Sequence, residues 1–452
     1  MDTQLKEANE VLDKVLGFII SDKLSDADKE QITKDVVFNF DKYLNPGWLL
    51  YRKSVSTKYV FVEWEDHESY FSDIYGEEFI DLLGGFGIYM FGHRNPEILK
   101  YVKAQLNRQA LHSQELLDPL RSYLAQVLAK ITPGDLQYSF FTNGGAEAVE
   151  MALKLARLAT KKSWIISTVN GFHGKSMGAI SVGGKDIYRT PYMPLVPHVA
   201  HAYYGDIDDM RNTIDKLSKV GESIAAVIIE PIQGEAGIIL PPENYLKQVR
   251  AMCDEFEICL IFDEIQTGMG RTGNYFRCQY ESVTPDILVY GKAFGGGIMP
   301  ITGITARPHL WVKELQDNPY LLGSATFGGN PLACCAALAA INFMIKNDVP
   351  KMCREKGAYL MKALNKLKEK YPNIIMDIRG AGLMIGIDFL NTKIGYSFVK
   401  GLFDRKVLTA GTLNNATTIR IEPAAITSYE DFDKALTRMD ESLAGVKAEF
   451  KL

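Results

Sequence analysis

Two residues at the ends of neighbouring apolar runs carry the chemistry that this sequence suggests. Lys292 follows the run Ile287–Tyr290 and precedes three glycines, and Asp263 ends the run Ile258–Asp263. Lysine is seldom buried without a partner, and a desolvated lysine is a neutral amine that can form a Schiff base with an aldehyde. A carboxylate beside it could keep a pyridine nitrogen protonated. Together the two residues predict a site for pyridoxal phosphate.

The elements that must position these residues alternate between short apolar strands and helices. Such runs, separated by helical patterns, are typical of a parallel sheet covered on both faces. Strands are predicted at Tyr138–Thr142, Trp164–Val169, Ala225–Glu230, Ile258–Asp263 and Ile287–Tyr290, with helices such as Glu147–Leu158 and Tyr245–Phe256 between them. Ligands of these sheets bind beyond the carboxyl ends of the strands, where Asp263 and Lys292 both fall.

The two ends of the chain differ from this α/β region. Residues 1–60 are charged and helical in pattern, with a break at Asn45–Gly47. After Asn330, two helices are predicted at 331–346 and 351–370. Four short strands are then predicted at Ile374–Arg379, Met384–Phe389, Val407–Ala410 and Thr418–Ile421. This part is expected to form a smaller α+β domain.

The composition is that of an ordinary soluble globular protein. Of 452 residues, 47% are hydrophobic and 23% charged, and the net charge of −5 argues against nucleic-acid binding. The six cysteines form no C-x-x-C pair and the start lacks a basic segment, so we expect reduced thiols, no signal peptide and a cytoplasmic protein. Pro331–Ile345, the longest apolar stretch, is too short to span a bilayer and is expected to be a buried helix. No metal-ligand pattern is found, and no metal is assigned.

Three further segments suit a cofactor, although each has an ordinary alternative. Gln266 could donate to a ring oxygen or simply belong to a polar loop. Gly145 and Ala146 open a predicted helix, where free N–H groups bind phosphate, but the same turn could be purely structural. Phe172 could cover one face of a planar cofactor with His173 beside it; taken alone, both are better explained as packed loop residues.

Two acidic residues near one strand end have a possible arginine partner elsewhere in the chain. Glu230 ends the predicted strand at 225–230, Glu235 follows it, and Arg420 lies in the strand at 418–421. An arginine fork suits a carboxylate substrate, and the alternative is a structural ion pair. The pattern G-x-G-x-x-G at 268–273 also follows a strand. Polar residues separate it from that strand and no clear helix follows, so we do not predict a dinucleotide site.

Taken together, these residues resemble the class III pyridoxal-phosphate aminotransferases, a fold type I family. The likeness covers roughly residues 35–440, with the motifs in family order. The most specific blocks are Glu230–Gly237, Ile261–Gly273 and Asp286–Gly297. Further matching segments are Asn45–Trp48, Tyr51–Val55, Leu83–Ile88, Leu111–Pro119 and Ala410–Asn415.

The resemblance implies a role for each residue around the cofactor ring. Lys292 would form the Schiff base and then move the proton released from the substrate. Asp263 would pair with the ring nitrogen and Gln266 with the 3-oxygen. Phe172 would stack on the ring, with His173 also in contact with the cofactor.

The resemblance also implies how the phosphate is held. Gly145 and Ala146 would offer backbone N–H groups, and Thr326 would reach the phosphate of a neighbouring subunit, which implies a homodimer with shared active sites or a tetramer of such dimers. The family usually has a hydroxyl residue at position 144 and often Ser or Thr at 146. With Gly144 and Ala146 here, we expect lower cofactor affinity or a larger share for Thr326.

Substrate contacts are implied at four residues. Glu235 and Arg420 would act as a gate, paired while a diamine is bound and open when Arg420 binds the carboxylate of 2-oxoglutarate. Gln114 and Glu230 would also contact substrate.

The implied activity is ping-pong transamination of a terminal diamine, putrescine first and cadaverine second, with 2-oxoglutarate. The products are 4-aminobutanal and glutamate. An ornithine, acetylornithine or 4-aminobutyrate enzyme of the same family stays open, as does a mutase or decarboxylase on this fold. A non-catalytic nucleotide-binding protein using the 268–273 glycines is the alternative of another class.

The implied architecture has three parts. Residues 1–62 would form a helical segment that packs with the small domain. Residues 63–325 would form the large domain, with a mainly parallel seven-stranded sheet covered by helices. Residues 326–452 would form the small α+β domain.

Overall fold

The computed structural model describes residues 2–52, 54–56 and 59–452. Met1, Lys53, Thr57 and Lys58, which belong to the predicted 1–62 segment and include one residue of the Tyr51–Val55 motif, lie outside the described residues. Two compact units can be distinguished: residues up to 66 with 71–79, and residues 67–70 with 80–452. The boundaries at 62/63 and 325/326, and the packing of the first segment with the small domain, stay predictions.

The smaller unit begins with helices, as predicted. These are α1 (Asp2–Ile20), α2 (Asp26–Asn39), a π-helical turn (Phe40–Leu44) and α3 (Gly47–Tyr51). Strands β1 (Glu63–His67), β2 (Tyr70–Asp73) and β3 (Glu78–Asp81) follow, and four of their terminal residues, His67, Tyr70, Ile80 and Asp81, belong to the larger unit. A reciprocal capping box between Ser25 and Asp28 starts α2, and Leu24, Ile32 and Ile74 form a small core.

The larger unit is built on a seven-stranded sheet. Its strands are β4 (Tyr138–Thr142), β5 (Trp164–Thr168), β6 (Val199–Ala202), β7 (Ile224–Ile229), β8 (Cys259–Asp263), β9 (Ile287–Tyr290) and β10 (Thr302–Ala306). The spatial order is β4-β10-β9-β8-β7-β5-β6. From β6 to β9 every pairing is parallel, whereas β10 pairs antiparallel with β9 and β4. The predicted mainly parallel sheet is confirmed.

Helices connect and cover these strands. They are α4 (Gly84–Gly87), α5 (Pro96–Leu106), α6 (Pro119–Ile131), α7 (Gly145–Thr160), α8 (Met177–Val182), α9 (Asp186–Arg189), α10 (Ile207–Lys219), α11 (Tyr245–Glu255) and α12 (Lys313–Asp317). Short 3-10 turns lie at Thr190–Tyr192, Arg277–Glu281, Lys292–Gly295, Pro308–Leu310 and Pro319–Leu321. The residues of β7 are divided between two separate apolar cores, because both faces of the sheet are covered.

The C-terminal part has the predicted α+β character. Its helices are α13 (Pro331–Lys346), α14 (Val349–Lys370), α15 (Thr392–Asp404) and α16 (Tyr429–Phe450). Its strands are β11 (Ile375–Ala381), β12 (Met384–Phe389), β13 (Val407–Leu408), β14 (Ala410–Gly411) and β15 (Thr418–Ile421). β11, β12, β15 and β14 form an antiparallel sheet in that order.

The single strand predicted at Val407–Ala410 is wrong. The segment forms two short strands in different sheets: β13 pairs with β3 at Ile80 and Asp81, and β14 pairs with β15. The buried residue between them, Thr409, donates its hydroxyl to the carbonyl of Arg420, which interrupts the strand pattern.

α13 is largely buried, as predicted. Among the described residues, no single helix is both long and apolar enough to cross a membrane. α13 and α14 satisfy that criterion only as a pair, with a bend of 65° between them.

Candidate functional site

Lys292 begins the turn that follows β9. Its backbone is left-handed, with φ of 49°, which marks a constrained position for a residue with a side chain. A Cβ on Gly87 would lie 3.4 Å from Lys292 Cδ, so the lysine stem passes against glycine. Burial lowers the pKa of Lys292 below its ordinary value, although Glu422 and Glu235 act against the shift. A lowered pKa increases the share of reactive neutral amine.

Asp263 is the last residue of β8 and lies at the same edge of the sheet, because β8 and β9 are parallel neighbours. Its Oδ2 accepts a hydrogen bond from His173 Nδ1 at 2.8 Å, and its Oδ1 accepts from the backbone N–H of Ile265 at 3.1 Å. Burial lowers the pKa of His173, but Asp263 outweighs it and raises that pKa above its ordinary value. The Asp263 carboxylate is therefore held in one orientation from both oxygens.

The start of α7 lies near Asp263 and Lys292, because Ile265 packs between Gly145 and Gly291. A Cβ on Gly145 would lie 3.0 Å from Ile265 Cδ1, and one on Gly291 would lie 3.5 Å from Ile265 Cγ2. Glu147 accepts hydrogen bonds from the two backbone N–H groups that precede the helix. The next N–H groups, of Gly145 and Ala146, belong to the first helical turn and are oriented to bind an anion.

Glu230 fastens the loop that carries Phe172. Its Oε2 accepts from the backbone N–H of Phe172 at 2.9 Å, and its Oε1 accepts from that of Gly234 at 3.0 Å. Burial raises the pKa of Glu230 to about 7, against the influence of His173. Phe172 itself is half-buried. Because both oxygens of Glu230 bind backbone, its contact with substrate stays a prediction.

Arg420 and Glu235, the gate pair, form a buried ion pair. Arg420 Nη2 lies 2.5 Å from Glu235 Oε2, which also accepts from the backbone N–H of Leu413 at 2.8 Å. Burial raises the pKa of Glu235, but Arg420 outweighs it and lowers that pKa. The Phe86 ring lies 5.0 Å from the guanidinium carbon. In the described part of the chain, Nε and Nη1 of Arg420 have no hydrogen-bond partner, so donors for a second carboxylate are present.

Glu422 is a site residue that the sequence analysis missed. Its side chain is fully buried, and its Oε1 accepts from Gln266 Nε2 at 2.7 Å. Its Oε2 lies 3.8 Å from Arg420 Nη1. The signal that could have found it is spacing, because residues two apart in extended backbone point to the same side.

Gln114 and Thr326 contact each other, but neither is hydrogen-bonded to the side chains described above in the part of the chain that the structure describes. Both are exposed, and the Gln114 amide donates to the carbonyl of Thr326. Neither residue hydrogen-bonds to Lys292 or Asp263 within the described ranges. Their predicted contacts with substrate and phosphate stay predictions.

Comparison with known proteins decides the family. The sequence matches the family described as Aminotransferase class-III over residues 51–443. The chain is a class III aminotransferase. A putrescine aminotransferase of Pectobacterium atrosepticum is 47% identical to it over 440 residues, which are 96% of this chain and 94% of the relative.

Solved structures support the same assignment for this aminotransferase. The ornithine aminotransferase of Toxoplasma gondii superposes with a TM-score of 0.82 at 26% identity, covering 94% of this chain and all of its own. The taurine:2-oxoglutarate aminotransferase of Bifidobacterium kashiwanohense, solved with PLP and glutamate, gives 0.84 at 26% identity, covering 95% and 99%. The predicted fold type I architecture is confirmed.

The side chains and backbone groups at this site of the class III aminotransferase fit pyridoxal phosphate. The Lys292 amine suits its aldehyde, the Asp263 carboxylate suits its ring nitrogen, and the N–H groups at the start of α7 suit its phosphate. His173 Nε2 is buried with no partner inside the described ranges, and a Cβ on Gly144 would meet no atom within 4 Å. Across those ranges, no group of three or more His, Cys, Asp or Glu is arranged to hold a metal ion.

The glycine pattern at 268–273 serves a structural purpose in this aminotransferase. Arg271 within it is buried and donates to the carbonyls of Leu383 and Pro423. The next element is the short 3-10 turn Arg277–Glu281, not the helix that a dinucleotide fingerprint requires.

Proposed function

We propose that this enzyme transfers an amino group from putrescine to 2-oxoglutarate, giving 4-aminobutanal and glutamate. The observation that carries the donor is the 47% identity, over 96% of the chain, to a putrescine aminotransferase. The site supports it, because a buried amine, a fixed carboxylate and a buried Arg–Glu pair lie together. Cadaverine is the expected second donor.

Pyridoxal phosphate is the proposed cofactor. When bound, it supplies an electron sink for the pair released as the donor loses its Cα proton. Lys292 would bind the aldehyde of the cofactor. As a free amine, it would then carry that proton on Nζ from Cα of the donor to the cofactor carbon that Lys292 had held. Its lowered pKa suits this exchange near neutral pH.

The other ring contacts follow from the geometry of the fixed residues. Asp263, oriented by His173, would hold a proton on the ring nitrogen. Gln266 would donate to the 3-oxygen, and Phe172 would cover one ring face. These residues orient the ring and set its charge, while Lys292 handles the proton.

Gly145 and Ala146 would bind the phosphate through backbone N–H groups. Thr326 would add a hydroxyl from a neighbouring subunit, so we propose a homodimer with shared active sites, alone or paired into a tetramer. We place the enzyme in the cytoplasm. Its Gly144 and Ala146 leave out two hydroxyl contacts, which makes Thr326 a larger part of the phosphate site.

The gate pair would serve both halves of the reaction. With Arg420 paired to Glu235, the positive charge of the guanidinium would be offset while a diamine is bound. When the pair opens, Arg420 can bind a carboxylate of 2-oxoglutarate as a fork. Gln114 and Glu230 would line the path of the substrate.

The test is the visible spectrum of the purified enzyme loaded with cofactor. Putrescine added alone should remove the absorption band of the lysine-bound cofactor, and 2-oxoglutarate should restore it. Lys292→Ala should lack the band and lose turnover by about 10⁴-fold or more. A band that ignores putrescine but responds to ornithine or 4-aminobutyrate would move the donor to an amino acid. Failure of any band to form with added cofactor would contradict the whole assignment.

A further inference from the structure

A second buried carboxylate lies beside the gate pair. Glu422 has no exposed surface, and one of its oxygens accepts from Gln266. Its other oxygen, Oε2, has no hydrogen-bond partner in the described part of the chain. A buried carboxylate oxygen without a donor is costly, and a ligand that brings N–H groups would satisfy it.

Glu422 belongs to a buried cluster of charged side chains around Arg420. The guanidinium faces two carboxylates, Glu235 at 2.5 Å and Glu422 at 3.8 Å. Another buried arginine, Arg271, donates to two backbone carbonyls, and Glu422 acts to raise its pKa, so this carboxylate is near a second guanidinium. Arg271 offsets the charge of Glu422 but, among the described residues, supplies no hydrogen bond to Oε2.

The Glu422 carboxylate lies close to the reactive amine. Glu422 is the carboxylate that acts most strongly to raise the pKa of Lys292, ahead of Glu235 and Asp263. A donor that reacts at Lys292 must place its other end somewhere in the same buried space. A second ammonium there would be attracted, whereas a carboxylate at that end would be repelled.

We propose that Glu422 selects diamines by binding the distal ammonium of the donor through Oε2. The ammonium provides the hydrogen-bond donor that Oε2 lacks. The proposal rests on the proposed function, since it concerns the donor of that reaction. It assigns donor choice to a residue outside the gate pair.

The test compares donors in the cofactor-loaded enzyme and in Glu422→Gln, which keeps the shape and removes the charge. The decay of the visible band is followed in single turnovers with putrescine, 1-aminobutane and 4-aminobutyrate. The preference for putrescine over each of the other two should fall by about tenfold or more in the variant. A donor too slow to react is compared instead by its inhibition constant against putrescine.

Glu281→Gln is the matched control. Glu281 is another buried carboxylate, whose Oε2 lies 3.4 Å from the backbone N–H of Lys247, and it does not act on Lys292 or Arg420. Its variant should keep the wild-type preference. An unchanged preference in Glu422→Gln, with the wild type still using putrescine, would overturn the role of Glu422 and leave the proposed function standing. A wild type that does not use putrescine would overturn both.

Glu422→Asp keeps the proposal testable if the glutamine variant does not fold. It retains the charge but draws the carboxylate back by one methylene. The preferred diamine should then lengthen from putrescine towards cadaverine, with the ratio of their kcat/KM values shifting several-fold. An unshifted ratio in a folded Glu422→Asp enzyme would contradict binding of the distal ammonium.

Discussion

The two ends of the site use their hydrogen-bonding groups differently. At the Asp263 end, both carboxylate oxygens are engaged, one by His173 and one by the backbone N–H of Ile265. At the Arg420 end, the guanidinium binds Glu235 through Nη2, while its Nε and Nη1 lack partners among the described residues. At the Asp263 end the protein satisfies both carboxylate oxygens, whereas at the Arg420 end two N–H groups are left available for a ligand.

This difference separates a fixed part of the site from an exchangeable part. A saturated carboxylate has one low-energy orientation, which suits a group that must face the same ring atom throughout the cycle. Unsatisfied donors are costly until a ligand arrives, which suits a group that must bind two unlike substrates in turn. Changes at the fixed end should therefore affect both half-reactions, and changes at the gate pair should affect them unequally.

The largest effect is expected from Asp263→Asn. Loss of the charge beside His173 removes the group that would keep the ring nitrogen protonated, so both half-reactions should slow by roughly 10²- to 10³-fold. Rapid mixing with putrescine, and separately with 2-oxoglutarate, measures them. Asp286→Asn is the control, because Asp286 is a buried carboxylate paired with Arg250 and adjoins the other end of β9. It should lower stability and leave both rates near those of the wild type. A strongly unequal effect of Asp263→Asn would place Asp263 in the exchangeable part.

A smaller and unequal effect is expected from Glu235→Gln. Without its main counter-charge, Arg420 should bind anions more readily, so the KM for 2-oxoglutarate should fall while the putrescine half-reaction slows, each by about tenfold. Donors with a distal carboxylate should gain relative to putrescine. Steady-state kinetics with both substrates varied gives the split. Equal changes in both half-reactions would remove the distinction between the two ends.

The free energy of unfolding should depend on pH in opposite directions for two acids of the site, Glu230 and Glu235. The pKa of Glu230 is raised by burial to about 7, so the folded protein binds this proton more tightly than the unfolded chain does. Its stabilising contribution is fully present below the ordinary carboxyl pKa and is lost as pH rises through about 7. For Glu235, whose pKa is lowered by Arg420, the contribution is present at neutral pH and is lost as pH falls through the lowered pKa.

Glu230→Gln imitates the protonated acid, so comparing this variant with the wild type measures how the stability contributed by Glu230 changes with pH. Between about pH 5 and pH 8, the free energy of unfolding of the wild type should fall relative to the variant, by at most about 3 kcal/mol. Urea denaturation at several pH values measures the difference. A difference that rises with pH would mean that Glu230 is ionised at little cost, and that the loop of Phe172 is held by a charge instead of a neutral acid.

The smallest effect is expected at the phosphate site. Gly144 has φ of −124° and open space where a Cβ would be, so Gly144→Ser should fit and add a hydroxyl donor. We expect the Kd for pyridoxal phosphate to fall several-fold, measured by equilibrium dialysis. Gly145→Ala is the matched opposite, because its Cβ would lie 3.0 Å from Ile265 Cδ1. It should weaken binding, and a similar weakening by Gly144→Ser would argue against a phosphate at this helix start.

Sequence reasoning predicted the parts whose signal is local. β4 and β9 were predicted at their observed bounds, because short runs rich in aromatic and β-branched residues that are followed by Asn or Gly mark strands. β10 was missed, since the segment Thr302–Ala306 is short, carries glycine and threonine, and pairs antiparallel in a mainly parallel sheet. Val407–Ala410 was misread because the chain changes sheets at Thr409.

Contacts within the site were hard to predict from the sequence when the two residues lie far apart along the chain. The pairing of Glu235 with Arg420 was predicted, although 185 positions separate them, because the acids at a strand end suggested an arginine partner and the family resemblance implied the same pair. Glu422 was missed, since its hydrogen bond with Gln266 spans 156 positions and no local pattern announces it. The His173–Asp263 contact, 90 positions apart, likewise depends on the folded sheet.

The most direct test of the central claim locates the cofactor on the chain. The loaded enzyme is treated with sodium borohydride, digested and examined by mass spectrometry for a lysine carrying the reduced phosphopyridoxyl group. The account predicts the group on Lys292, and its absence from that peptide when putrescine is added before the borohydride. The group on any other lysine, or on Lys292 whether or not putrescine is present, would contradict Lys292 as the residue that exchanges with the donor.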